Sequence, residues 1–427
     1  MDDYLAVSAV VVIPALTSIE KVVAIIRKFI NTATTQQTLY QNIISLGIFM
    51  RYAFIITIIV LLQLFSFGAA CSLEWWLQPW SSPLFIQVTW LAVFAITNIL
   101  LLLSVTKSFA SSYRWISAWM MVMHFMLLTA LLSSLVYGGF WLLHALGIPT
   151  FYDTDVISIG LRIFALVFFI GLFSYTLYNA YVPAVRELSI KINKPLNYSL
   201  RIAVASDLHL GRLFGNKSIE RLNDIVQSYQ ADILLMPGDI MDDNTKAFAA
   251  YNMAEDLAKL VSSLRYGVYA TLGNHDLYGH EQPISEALQA AGVQLLNDEA
   301  ICLSHQGQPI WLVGRFDNHK RQRVATTELL KQVNTTEPVI LLDHRPSDIM
   351  AHSQLPIDLQ VSGHTHNGQI FPANFIVKAI NRLGYGYEKV GKGHFVVSSG
   401  YGFWGIPFRL GSRSEVWLIT LSGQQNS

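Results

Sequence analysis

The chain predicts two architectures in series, an N-terminal all-α transmembrane bundle and a C-terminal α/β domain. Three observations carry this. Only 14% of the 427 residues are charged, against about 25% in ordinary soluble proteins, and the deficit is concentrated before residue 200. Apolar runs long enough to cross a bilayer recur four times in that stretch. Beyond it, short β-rich runs alternate with helical ones, the pattern of βαβ units.

The four runs are "YAFIITIIVLLQLFSFGAAC" from Tyr52, "LFIQVTWLAVFAITNILLLLSV" from Leu84, "WISAWMMVMHFMLLTALLSSLVYGGFW" from Trp115 and "IFALVFFIGLFSYTLYNAYV" from Ile163. Each meets the need for about 20 apolar residues per helix, so the lipid bilayer is a partner. Residues 4–30 leave a fifth span open. "YLAVSAVVVIPALTSI" is short and interrupted by Pro14, and Asp2 and Asp3 stand where a signal peptide would be basic. An interfacial or re-entrant segment suits them better. His124 within the third run is expected to hydrogen-bond inside the bundle.

Lys and Arg set the orientation. Lys21, Arg27, Lys28 and Arg51 precede or open the first span, Lys107 and Arg114 flank the loop after the second, and Arg186, Lys191 and Lys194 follow the fourth. The intervening connections, "SLEWWLQPWSSP" and "GIPTFYDTDV", carry none. This alternation predicts a multi-pass protein of the cell (inner) membrane with its C-terminal domain cytoplasmic. Trp75, Trp76 and Trp80 would be anchors at the outer interface. The expected boundaries are a membrane domain over 1–185, a polar linker over 186–200 and an α/β domain over 201–427. A net charge of zero gives no basis for a nucleic-acid surface. Cys71 and Cys302 fall in different halves and support neither a disulfide framework nor a thiolate metal site.

The α/β half places polar ligand types where its strands end. "RIAVASD" leads to Asp207 and His209, and "ADILLMPGD" to Asp239. "GVYATLGNHD" leads to Asn274, His275 and Asp276, "EPVILLDHRP" to His344, and "IDLQVSGHTH" to His364 and His366. In open α/β sheets, function gathers at the carboxyl ends of strands, so these ends are expected to converge on one edge of one sheet. The donors are carboxylate, amide and imidazole, a set suited to Mn²⁺, Fe or Zn²⁺. In an extended segment residues two apart point the same way, so Asp207/His209 and His364/His366 would each present a pair. Gly238, Gly273 and Gly363 would let the backbone turn tightly beside them. Any one of these strings is weak; in order, each at a strand end, they make coincidence a poor account.

D-x-H, GD, GNHD, a lone His and GHxH in this order resemble the calcineurin-like metallophosphoesterases, in their membrane-attached branch. The resemblance runs from Arg201 to near the C-terminus. It implies a four-layer α/β/β/α sandwich and two divalent metal ions. By motif position Asp207, His209 and His366 would bind one metal, Asp239 would bridge, and Asn274, His344 and His364 would complete the second. His275, with Asp276 beside it, would be a catalytic proton donor or phosphate contact. Asn367 departs from the Gly that many members carry there, which touches only the loop. The implied reaction is hydrolysis of a phosphodiester or pyrophosphate, by a hydroxide held between the metals that attacks phosphorus in line.

A membrane tether raises the expectation of an amphiphilic phosphoester substrate, lipid-linked or nucleotide-linked; the resemblance suggests a UDP-diacylglucosamine-type pyrophosphate as one candidate. Tyr401, Phe403, Trp404 and Phe408 in "YGFWGIPF" are either an aromatic lip or loop packing. Arg212, Arg315 and Arg409 are either phosphate clamps or ordinary arginines. The alternatives to an enzyme are a transporter, or a scaffold, with a regulatory phosphoesterase domain. The scarcity of ionisable residues in the spans argues against the first, and the complete ligand set against the second.

Overall fold

Runs of Leu, Ile, Val, Phe and Ala that a bilayer would cover form three long helices, α1 (Gln36–Leu77), α2 (Pro83–Val105) and α3 (Ser112–Ala145). The computed structural model describes residues 36–106, 112–148, 154–278 and 280–424, so the expectation for residues 4–30 lies outside the described residues. Two units are distinguished, Met1–Thr150 and Phe151–Ser427. In the first, α2 starts on Pro83, with the Ser82 hydroxyl accepting the Phe85 N–H, as a helix N-terminus needs. The helices meet over Leu62, Ala69, Ala70, Val93 and Met123. At Gly68 a Cβ would lie 2.3 Å from Leu127, so this small residue lets backbones approach closely. Ser66 and Thr97 share a hydrogen bond of 2.8 Å, and Trp119 Nε1 donates to Thr97 at 2.8 Å. The His124 ring lies near Phe65 and Phe125, with centroids 6.0 and 6.1 Å away.

The second unit opens with α4 (Thr154–Tyr181), which makes four helices long and apolar enough to cross a membrane among the described residues. Its strands and helices then follow as β1 (Ala184–Pro195), β2 (Leu200–Val204), α5 (Asn216–Ser228), β3 (Ile233–Pro237), α6 (Lys246–Ala250), α7 (Met253–Ser263), β4 (Val268–Thr271), α8 (Glu281–Ala290), β5 (Gln294–Leu295), β6 (Glu299–His305), β7 (Gln308–Arg315), α9 (Thr326–Leu329), β8 (Val339–Asp343), α10 (Ile349–His352), β9 (Leu359–Ser362), α11 (Ala373–Ile380), β10 (Gly386–Val390), β11 (Gly393–Val397) and β12 (Glu415–Gln424).

These strands make two six-stranded sheets, β1-β12-β2-β3-β4-β5 and β10-β11-β9-β8-β7-β6. The period of two along each strand builds the layers. Ile202, Val204, Ile233 and Leu235 of the first sheet meet Leu312, Ile340, Leu342 and Val361 of the second in one core. The alternate residues Ala203, Leu234, Met236 and Ala270 face a core shared with Leu222 of α5, Leu257 of α7 and Ile284 of α8. On the far side, Val313, Val339 and Leu341 pack with Leu329, Leu330 and Val333. The arrangement is the α/β/β/α sandwich that the resemblance implied, and the strand ends expected on one edge of one sheet belong to two.

Two further differences have local causes. Residues 186–200, expected as a linker, contain most of β1, which pairs in parallel with β12 from Ala184↔Glu415 onward. Ile190 and Ile192 are buried while Lys191 between them is exposed, and Lys194 is half-buried in an ion pair with Asp358 at 2.6 Å, so the lysines that gave this stretch a polar composition belong to an edge strand. The helix expected over "AFAAYNMAEDLAKLVSSL" breaks into α6 and α7 because Asn252 adopts φ 52°, which ends α6. Replacing Ile190, 1% exposed in the inter-sheet core, by Ala should lower the stability of this unit by about 2–5 kcal/mol. Thermal unfolding in detergent followed by circular dichroism checks this; an unshifted midpoint would exclude β1 from the cooperative core.

Candidate metal centre

The loops that follow β2, β3 and β4 carry Asp207, His209, Asp239 and Asn274 from the first sheet, and those after β8 and β9 carry His344, His364 and His366 from the second. The site is therefore shared between two sheets, not built on one edge of one. Backbone hydrogen bonds tie the loops together: Asp207 N–H to Gly238 O at 3.0 Å, His209 N–H to Asp239 O at 3.0 Å, and Gly363 N–H to His344 O at 2.9 Å.

The expectation of extended pairs is also corrected. Asp207, His209, Asp239, His364 and His366 have φ of 53°, 45°, 53°, 69° and 48°, the left-handed region that side chains seldom enter. Such conformations cost about 1–3 kcal/mol each and persist where the surroundings over-determine them. Here the curl turns the side chains of separate loops toward a common volume. Asn367 at φ 48° and ψ 38° shares the conformation; Asn tolerates it better than most residues, which is why it can stand where Gly is common.

Seven buried or half-buried side chains come together. Asp207, His209 and His366 form one group of donors with ligand atoms within 4.8 Å of one another, and Asp239, His344 and His364 form a second. A further group joins His209, Asp239 and His275, so Asp239 lies between the two sets. His209 Nε2 and His366 Nε2 are 3.1 Å apart, His366 Nε2 is 3.6 Å from Asp207 Oδ1, and His344 Nε2 is 3.2 Å from Asp239 Oδ2. Gly363 makes this density possible. A Cβ there would lie 1.9 Å from Ser206 Oγ and 2.1 Å from Asp207 Oδ2.

The donors fit divalent cations. His344 Nδ1 lies 2.8 Å from the Pro237 carbonyl and donates to it, which leaves Nε2 facing inward toward Asp239. Asn274 Nδ2 donates to Tyr278 Oη at 2.9 Å, which turns its carbonyl oxygen the other way. His209 Nδ1, His344 Nε2 and Asn274 Oδ1 are buried without hydrogen-bond partners. Buried polar atoms are rarely left so, and outer hydrogen bonds that fix tautomer and amide orientation are what ligands carry.

Burial and crowding move the titrations in opposite directions. Burial pushes Asp207 up to about 6, and His209 and His364 down to about 3. Burial opposes charge on His344 too, yet Asp239 beside it drives that ring up to about 10. Asp239 is held well below the usual carboxylate range: burial acts against its charge, but His344 outweighs it. An anion at Asp239 surrounded by imidazoles is an arrangement that cations complete.

His275 lies against the first group, its ring centroid 4.9 Å from that of His209. Its Nδ1 is 2.5 Å from Asp243 Oδ1. Burial acts against its charge, but the Asp243 hydrogen bond and the Asp239 carboxylate hold its pKa above the ordinary value. Asp243 escaped the sequence reading, although its place in "GDIMDDN", four residues after Asp239, was a signal. Asp276 does something other than expected. Fully buried, it accepts the backbone N–H groups of Ile240, Met241 and Gly273 at 2.9–3.1 Å, and so braces the loops that carry Asp239 and Asn274 instead of sharing the chemistry of its neighbour.

The arginines also separate. Arg315 is buried in ion pairs with Asp343 at 3.0 Å and Asp348 at 3.1 Å, which Arg323 joins. That network fills the remaining cluster of Asp343, Asp348 and His352, so it is a structural brace and Arg315 is not a phosphate clamp. Arg409 is fully buried, its Nη2 donating to the carbonyls of Ser399, Gly400 and Gly402 and lying 3.1 Å from His366 Nδ1. It supports a candidate donor, and it is buried beneath the site instead of facing solvent. Arg212 is exposed. In the aromatic loop, Tyr401, Phe403 and Phe408 are buried and only Trp404 is exposed, its ring centroid 6.2 Å from that of His275. Packing explains three of the four aromatics, and Trp404 alone lies open beside the site.

Residues 200–368 match a family model described as calcineurin-like phosphoesterase. A protein of Helicobacter pylori named as an uncharacterized metallophosphoesterase is 33% identical over 245 residues, 56% of this chain and 64% of that one. An Aquifex aeolicus protein with the same name is 32% identical over 261 residues, 59% of this chain and 97% of that one. A Danio rerio transmembrane protein with metallophosphoesterase domain is 31% identical over 276 residues, 61% of this chain and 62% of that one. The chain thus spans less than two thirds of the Helicobacter and Danio relatives. Gly363→Ala should retain its circular dichroism spectrum and lose most of its divalent metal, because the added methyl displaces Asp207. Elemental analysis of the purified variant reads this, and undiminished metal content would show the close approach to be unimportant.

Proposed function

Because the chain belongs to the calcineurin-like metallophosphoesterase family, we propose that it hydrolyses a phosphodiester or pyrophosphate, on an amphiphilic lipid- or nucleotide-linked substrate at the cytoplasmic leaflet of the inner membrane. The observation that carries the reading is the pair of donor groups flanking Asp239, with the His275–Asp243 couple beside them. In this reading Asp207, His209 and His366 hold one divalent ion, Asn274, His344 and His364 the other, and Asp239 both. A bound pair supplies Lewis-acid polarisation of a phosphate and activation of water near neutral pH.

The chain's own groups do the rest. Asp243 accepts a hydrogen bond from His275 Nδ1, which keeps the ring protonated and aims Nε2 as the donor of a proton to the departing oxygen. Tyr278 holds the Asn274 amide in its orientation. Asp276 holds the loops of Asp239 and Asn274 in register. Trp404 offers an apolar face to the non-phosphate part of a substrate. The cytoplasmic side is supported by the alternation of Lys and Arg between connections.

Protein purified in detergent should hydrolyse bis-p-nitrophenyl phosphate with Mn²⁺ and stop when a chelator is added. Asp239→Asn should abolish turnover, and turnover at the parental rate would refute the ligand assignment. His275→Ala should cost roughly 10²–10⁴-fold in kcat on a diester with a poor alkoxide leaving group, and less on the p-nitrophenyl ester, whose leaving group needs little protonation. An equal loss on both would remove His275 from the role of acid.

A further inference from the structure

Helix α11, "ANFIVKAI", has no buried residue. Phe375 is 61% exposed, Ile376 60% and Ile380 74%. A short helix with this much uncovered apolar surface is unusual on a domain surrounded by water. Its only charged residue is Lys378, exposed in its last turn.

Its neighbours identify what covers it. The segment just before α11 pairs with the loop at Phe408–Gly411: Phe371 N–H donates to Leu410 O at 2.7 Å, Leu410 N–H donates to Gln369 O at 2.9 Å, and Asn374 lies against Gly411. The same loop packs on α4 by its preceding residues. Arg409 N–H donates to Thr176 O at 3.1 Å, Asn179 Nδ2 donates to Arg409 O at 3.3 Å, and the Phe408 and Phe173 rings are 5.0 Å apart. Four consecutive residues therefore join α11 to the last turns of a helix apolar enough to span a membrane. The 28 residues of α4 extend about 42 Å at ~1.5 Å per residue, while a hydrocarbon core is about 30 Å thick. With Asp155 at one boundary, the other falls near Phe173, at the level of the Phe408 loop. Exposed Tyr175 and Tyr178 on α4 stand where interfacial aromatics belong.

We propose that the Phe375–Ile376–Ile380 face of α11 is seated in the bilayer interface, with Lys378 reaching anionic headgroups, as an in-plane anchor separate from the spanning helices. Trp404, 55% exposed, lies on the site side of the same loop. The anchor thus holds the metal centre's opening against the headgroup layer.

The inference is read without turnover, so its failure and that of the proposed chemistry are distinguishable. In the full chain, Cys71 and Cys302, both exposed, are replaced by Ser. A bimane label is placed through Ile376→Cys or, as control, through Tyr198→Cys in the β1–β2 turn at the opposite end of the strands. The protein is reconstituted in vesicles of phosphatidylcholine and phosphatidylglycerol with or without 5-doxyl phosphatidylcholine, after matched thermal melts establish folding. Quenching at position 376 should exceed that at 198 by roughly threefold or more, as for an interfacially buried side chain. Equal quenching at the two positions overturns the proposal. So does disulfide formation between copies of the unlabelled Ile376→Cys protein together with no doxyl quenching of the labelled one, which would assign the face to a second copy of the chain.

Discussion

The Asp239 carboxylate is the constraint on which the second unit depends. It is almost wholly withdrawn from water, with two imidazoles within 4 Å and the backbone N–H of His275 bonded to it at 2.8 Å. A charge in that position is tolerable only if positive charge stands close and in fixed geometry. Much of the surrounding architecture supplies that geometry. Asp276 holds the neighbouring loops by their amides, Pro237 fixes the His344 ring, and left-handed turns at five candidate donors bring side chains of two sheets to one place. The strain and the desolvation are repaid together when cations arrive.

The candidate donors were legible because each belongs to a short string ending a recognisable strand. Seven residues scattered between 207 and 366 could be collected without a model of the fold. What escaped depended on separation in space. Asp276 follows His275 directly and invited a shared role, yet one side chain meets the Asp243 loop and the other three backbone amides. Asp243 stood four residues after Asp239, but its role shows through its partner His275, 32 positions later. Arg315 looked available for phosphate because Asp343 and Asp348, which neutralise it, are 28 and 33 residues away. The α/β class was legible from periodicity, but the division into two sheets was legible only through the motif resemblance, because a strand's own pattern does not name the sheet it joins. β1 reads as a polar linker for another reason: Lys191 lies on the exposed side of an alternation whose Ile residues are buried, and the partner of Lys194, Asp358, is far away in sequence.

The aromatic loop joins the two solvents of the molecule. Phe408 packs on Phe173 of α4, Phe403 on Tyr181 at its end, and Arg409, next to Phe408, lies against His366. The end of an apolar helix is thereby connected through two residues to a metal-type ligand. The rigidity is local and consists of ring contacts and backbone hydrogen bonds, so the direction of the site relative to α4 is set by the fold and not by a flexible tether.

Because neither sheet owns a complete set of donors, ions that occupy the centre also act as rivets through the sandwich. An ion bound by the folded chain and not by the unfolded one adds RT ln(1 + [M]/Kd) to stability, about 2.7 kcal/mol at a hundredfold excess over Kd. That increment falls on the seam between the layers, in addition to the apolar core the two sheets share. Metal supply would then govern how long the protein survives as well as how fast it works. A cell short of the ion would hold fewer intact copies, cleared by proteases that find the opened seam.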